Sequence, residues 1–161
     1  MCDPVVLRTL LDTATPLQQD CGLLCGSRCC RSLEGEETGM LPFPGEEALF
    51  AHLPGFRLVG NRNLIVCEGT CDRSLRPLSC RIFPLLPVLR QGEIRVEMDE
   101  RARYVCPMFS SGSSGLLPDF VNRVRKAGQI LAGSEQGLAF LQERTREQDE
   151  LKEWRRTRND H

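Results

Sequence analysis

Apolar residues recur along this chain at spacings that mark its elements. Leu7, Leu10, Leu11 and Ala14 fall at helical intervals behind Asp3 and Pro4, a capping side chain followed by a first-turn proline. The pattern predicts a helix over 4–14, ended by Pro16. Leu49, Phe50 and Leu53 predict a second, short helix over 46–53 with these three on its inner face. Phe56 and Leu58 mirror Leu64 and Val66 around a Gly60-Asn61 turn signal, which predicts a hairpin. Ile94, Val96 and Met98 alternate with Glu93, Arg95 and Glu97. That alternation predicts a half-buried strand pairing back across Gln91-Gly92 onto Val88 and Leu89. Residues 110–115 read as a flexible Ser/Gly linker. Phe120, Val121, Val124, Ala127 and Leu131 predict an amphipathic helix, and a charged helix follows from about Ser134 to Arg158, its apolar positions thinning toward Trp154. The expected fold class is irregular α+β: a small metal-stabilised domain in which short antiparallel hairpins are flanked by helices and long loops.

With 161 residues the chain is long enough to bury one core, so a single domain is expected. Within it, residues 1–110 would carry the cysteines and residues 111–161 would pack on them as C-terminal helices. The formal charge is -1 and the pI about 6.2, with acids and bases interspersed. No basic face is apparent that would release counterions from a phosphate backbone, so nucleic acid is not an expected partner. The first residues carry no basic leader or cleavage pattern, and no apolar run approaches the ~20 residues of a membrane span. The expectation is a cytoplasmic protein away from the membrane, in a compartment where structural disulfides are rare.

Nine cysteines then need another explanation. Cys21, Cys25, Cys29 and Cys30 form one group and Cys67, Cys71 and Cys80 a second, with Cys106 following and Cys2 outside the pattern. Thiolate ligation of a soft metal accounts for such grouping. Cys21, Cys25 and Cys29 would share a face if helical, or converge from a loop broken by Gly22 and Gly26. Cys29 and Cys30 are adjacent and their side chains diverge, so they would serve different metals or different irons of one cluster. Eight grouped thiols suffice for two four-cysteine sites. The only histidines, His52 and His161, lie away from both groups, so the expected ligation is all-thiolate. Two zinc sites of this kind would carry a formal charge of about -4. Arg28, Arg31, Arg73, Arg76 and Arg81 stand beside the cysteines and are read as N–H donors to sulfur, with Arg28, Arg76 and Arg81 the chief candidates.

Residues 21–30 (CGLLCGSRCC), residues 67–71 (CEGTC) and residues 76–84 (RPLSCRIFP) together resemble the YkgJ-like cysteine-cluster family of zinc- or iron-chelating proteins. The double cysteine closing the first group and the Arg-Pro-x-x-Cys-Arg-x-Phe-Pro stretch carry the likeness, which covers roughly residues 20 to 90. Residues 39–46 and the C-terminal helices resemble those of a bacterial subgroup. The resemblance implies metal chelation, without one shared activity. Related clusters occur in flagellin lysine methylases, which implies a link to methyl transfer, although this chain has no Gly-rich nucleotide-binding βα unit.

No two-residue-spaced cysteine pair of a zinc knuckle is present, whereas iron–sulfur clusters tolerate varied spacings. Zinc and iron–sulfur both stay open, the spacing favouring iron–sulfur by a small margin. Three roles compete: a closed structural or adapter metal module, which leads; an iron–sulfur electron-transfer or enzyme accessory subunit, which visible absorption would reveal; and a thiol-redox enzyme, which fast alkylation would reveal. No catalytic constellation is visible, and whether the protein is an enzyme is open. Bland readings stand beside these: Cys2 as a small buried hydrophobe, Cys106 as core or last ligand, His52 as a surface residue, Glu34, Glu36, Glu37, Glu46 and Glu47 as a solvated loop. Trp154 would be a minor element of a solvated helix face, or a docking point for another protein.

Overall fold

Asp3 accepts a hydrogen bond from the Val5 N–H (2.9 Å) and Pro4 opens the turn behind it, starting helix α1, Pro4–Leu11. The computed structural model describes residues 3–18, 39–67 and 72–159. α1 ends earlier than the spacing predicts. Thr15 precedes Pro16 and is biased to extended backbone, so the chain leaves the helix through a turn in which Ala14 N–H reaches Leu11 O (3.2 Å). Helix α2, Glu47–Phe50, is a single turn. Phe50 is fully buried and meets Phe56 edge-on at 4.9 Å, whereas Leu49 is exposed. Neighbouring helical side chains point about 100° apart, so one turn cannot present both inward.

Strands β1 (Phe56–Val59) and β2 (Leu64–Cys67) pair antiparallel, with Leu58 opposite Ile65 and Phe56 opposite Cys67. The register is one residue from the predicted mirror because the loop holds residues 60–63, with positive φ at both Gly60 and Asn63. Met40 bridges to Ile65 on the other side of β2. A second, separate hairpin joins β3 (Leu85–Arg90) to β4 (Glu93–Met98), Leu89 facing Ile94 across Gln91-Gly92. Both turn residues have positive φ (53° and 80°), the requirement of a two-residue turn matched to strand twist. Between the hairpins lie a 3₁₀ turn, Arg73–Leu75, and helix α3, Leu78–Ile82.

After β4 the chain forms 3₁₀ turns at Glu100–Tyr104, Pro107–Ser111 and Ser113–Gly115. The expected flexible linker is thus a pair of regular turns, hinged at Gly112 with φ 66°. Helices α4 (Pro118–Ala132) and α5 (Glu135–Asn159) complete the chain.

The core gathers Leu7 and Leu11 of α1, Leu78 and Ile82 of α3, Leu85 of β3, Leu141 of α5, and Phe120, Val124, Ala127 and Leu131 of α4. α4 lies close on the second hairpin because Gly128 has no side chain: a β-carbon there would sit 2.7 Å from Ile94 Cγ2 and 2.8 Å from Pro87 Cβ. The fold is α+β, helices with two small antiparallel hairpins. No helix among the described residues is long and apolar enough to cross a membrane.

Candidate functional site

Cys80 rides on α3, whose short length follows from its surroundings: Pro77 stands at its N-cap, and Phe83 leaves it in extended backbone. The thiol-bearing residue is half-buried and lines a small pocket with Thr15 and Pro16, just beyond α1, and with Arg73, Arg76 and Arg81. Arg81 is only 5% exposed. Its Nε donates to Arg76 O (3.0 Å), Nη1 to Leu11 O and Asp12 O (both 3.4 Å), and Nη2 to Arg73 O (2.9 Å) and Ser74 O (3.1 Å). Five guanidinium N–H groups therefore meet five backbone carbonyls, joining the end of α1 to the 73–76 turn. Asp12 Oδ1 lies 3.6 Å from Nη1. Burial lowers the Arg81 pKa, and the like charges of Arg8, Arg76 and Arg73 press the same way against the pull of Asp12.

Arg8, one turn before the end of α1, donates to Ser74 O (2.9 Å) and Arg76 O (3.3 Å), sharing both carbonyls with Arg81. Its Nη1 also reaches Glu46 Oε1 at 3.5 Å. Glu46 has no exposed surface, so its reading as part of a solvated acidic loop is corrected. Oε2 accepts from Phe43 N–H (2.9 Å) and Oε1 from Leu78 N–H (3.0 Å), so the carboxylate closes its own turn and caps α3. Burial raises its pKa and the adjacent Glu47 adds to this, while the two N–H donors and Arg8 oppose. Arg73 Nη2 donates to Ala14 O at 3.1 Å, and Asp72 caps the 3₁₀ turn through Ser74 N–H (2.9 Å).

Cys67 ends β2, half-buried, opposite Phe56. Cys106 precedes the Pro107–Ser111 turn, half-buried, with its N–H on Ala102 O at 2.8 Å. Among the described residues, no three Cys, His, Asp or Glu side chains converge as a metal-holding group, so Cys67, Cys80 and Cys106 do not make one by themselves. Cys21, Cys25, Cys29, Cys30 and Cys71, with Arg28, lie outside the described residues. Of the described residues, Pro16 shares the Cys80 pocket, and Gly39 lies so close to β2 that a β-carbon there would sit 3.1 Å from Val66 Cγ2, next to Cys67. Positive charge around Cys80 suits a donor set of anionic thiolates, each of which would offset part of it.

Arg8 and Glu46 are the residues of this site that sequence reasoning missed. Neither stands beside a cysteine, and Glu46 sits in an acidic pair whose other member is only half-buried. His52 is exposed just past α2. No family model, curated protein or solved structure matches this chain.

Proposed function

We propose that the chain is a metal-binding protein of structural or adapter type, similar in kind to the YkgJ-like cysteine-cluster proteins. Cys21, Cys25, Cys29, Cys30, Cys67, Cys71, Cys80 and Cys106 would hold zinc or an iron–sulfur cluster. The observation that supports it most is the setting of Cys80: a half-buried cysteine in a small pocket shared with three arginines, one of them buried and crowded by like charge. A thiolate is the natural counter-charge in such a place, and bound metal keeps a thiol ionised. Arg81 gives its N–H groups to carbonyls, so its contribution would be its charge and its hold on the backbone. Bound zinc or iron would crosslink the cysteine-bearing segments; iron–sulfur would add one-electron chemistry.

The test is elemental analysis and visible absorption of protein purified without oxygen. Zinc without colour supports the structural form, and iron with sulfide and broad visible absorption supports the cluster form. Protein folded and fully reduced yet free of either metal would refute the proposal.

A further inference from the structure

The backbone between Cys71 and Cys80 is gripped by groups that act independently of any metal. Arg8 and Arg81, from two different helices, both donate to the carbonyls of Ser74 and Arg76. Beneath them the buried Glu46 carboxylate ties Arg8 to the Leu78 N–H at the head of the helix that carries Cys80. The segment's own amides are paired as well: Leu75 N–H to Asp72 O (2.9 Å), and Cys80 and Arg81 N–H to Pro77 O (3.0 and 3.1 Å). Leu78 and Ile82 anchor the same short helix in the core. A five-residue helix would not hold in isolation, since nucleation is costly and few bonds offset it. It holds here because Glu46 meets the Leu78 N–H at its head, while Arg8 fixes the turn that leads into it.

We propose that Arg8, Glu46 and Arg81 are positioning residues that set the 72–81 backbone in its metal-binding shape before any metal arrives. This part of the site would then be preformed. The inference rests on the metal-binding reading above. Preorganisation matters quantitatively, because affinity falls in proportion to the fraction of molecules in the competent conformation. Freeing Arg8 from the turn so that about one molecule in ten keeps the shape would weaken metal binding about tenfold.

Two measurements on the full chain decide it. The first is amide hydrogen exchange of the metal-free protein, where the amides of Leu75, Leu78, Cys80 and Arg81 should exchange on the order of 100-fold or more slower than unstructured backbone. The second is zinc affinity, by competition with a chromophoric chelator, of Arg8→Gln against Arg123→Gln. Arg123 also binds α1, through Leu10 O and Thr13 Oγ1 (both 3.1 Å), and pairs with Asp119 (2.9 Å) on its own helix. Arg8→Gln should bind zinc about tenfold more weakly and Arg123→Gln as tightly as the unaltered chain. If the unaltered chain takes up neither zinc nor iron, the metal reading falls and this proposal with it. Should it bind zinc while those amides exchange freely without metal, or while Arg8→Gln binds undiminished, the metal reading survives and the positioning role is overturned. If Arg8→Gln does not fold, amide exchange of the unaltered protein decides alone, slow exchange supporting the positioning role and free exchange overturning it.

Discussion

Replacing Glu97 with Gln tests how the last helix is fastened. Glu97 stands on β4, and three side chains converge on it: Arg90 from β3 through Nε (2.9 Å) and Nη2 (3.1 Å), then Gln148 (3.3 Å) and Lys152 (2.6 Å) from α5. Burial works against its ionisation, but the hydrogen bonds from Arg90, Lys152 and Gln148 outweigh it and hold its carboxyl at about 2. A folded pKa below the unfolded value of 4.5 means that the ionised form stabilises the fold above pH 4.5. That stability drains away as pH falls from about 4.5 to 2. The full shift corresponds to roughly 3 kcal/mol, and solvent reaching the pair reduces it to about 2 kcal/mol. In a chain of this length, Glu97→Gln should therefore lower Tm by about 4–8 °C near neutral pH. Urea melts of both proteins at pH 7, 4.5 and 3.5 check the mechanism: the gap should be widest at pH 7 and visibly narrower at pH 3.5. Glu93→Gln is the control, since Glu93 is exposed and pairs with exposed Arg95, and it should change stability by less than about 0.5 kcal/mol. A Glu97→Gln gap that stays constant across this range would show that shape rather than charge fastens the helix.

The remaining expectations are briefer. Gly137→Ala should prevent normal folding or drop Tm steeply, because a β-carbon there would lie 2.0 Å from Leu131 O at the α4–α5 corner; a melt within a few degrees of the unaltered protein would refute it. Gln148→Leu should cost about 1–3 kcal/mol in urea melts, since Gln148 is 1% exposed and serves both Met98 O (2.8 Å) and Glu100 N–H (3.0 Å), groups the leucine would leave unmet. Cys29→Ser and Cys80→Ser should each lose metal and lower the melting temperature, whereas Cys2→Ser should do neither; equal metal content in all three would count against the ligand assignment.

The elements were legible in the sequence where period and turn chemistry agreed. Residues 93–98 alternate cleanly and Gln91-Gly92 supplies a two-residue turn back to the apolar run before it, so strand, partner and turn could all be read. The first hairpin was legible as a hairpin but not in register, because Gly60-Asn61 looks like a two-residue turn when the loop actually closes at Asn63. One residue of error turned Leu58 to face Ile65 in place of Leu64. α5 was legible in extent, and its charge suggested a solvated face. Its docking was not legible, since buried Arg144, Thr145 and Gln148 bond to partners on the second hairpin and the turn after it that no helical period reveals.

The candidate site divides along the same line. Cys80 beside Arg76 and Arg81 could be singled out from adjacency alone, but adjacency pointed the guanidiniums at sulfur, whereas Arg81 reaches carbonyls contributed by residues as far away as Leu11. Those bonds depend on where α1 lies against α3, which is settled by Leu7, Leu11, Leu78 and Ile82 packing together in the core. A buried guanidinium is tolerable only when its N–H groups are met, and here the chain meets them with backbone oxygens of a 3₁₀ turn and a helix end, where Leu11 O and Arg73 O accept from Arg81 as well as from Ala14 and Arg76 N–H. The arrangement explains why an arginine should follow this cysteine directly. Lysine would keep the charge but offers three donors on a flexible stem in place of a rigid fork of five, so it could not span α1 and the 73–76 turn together.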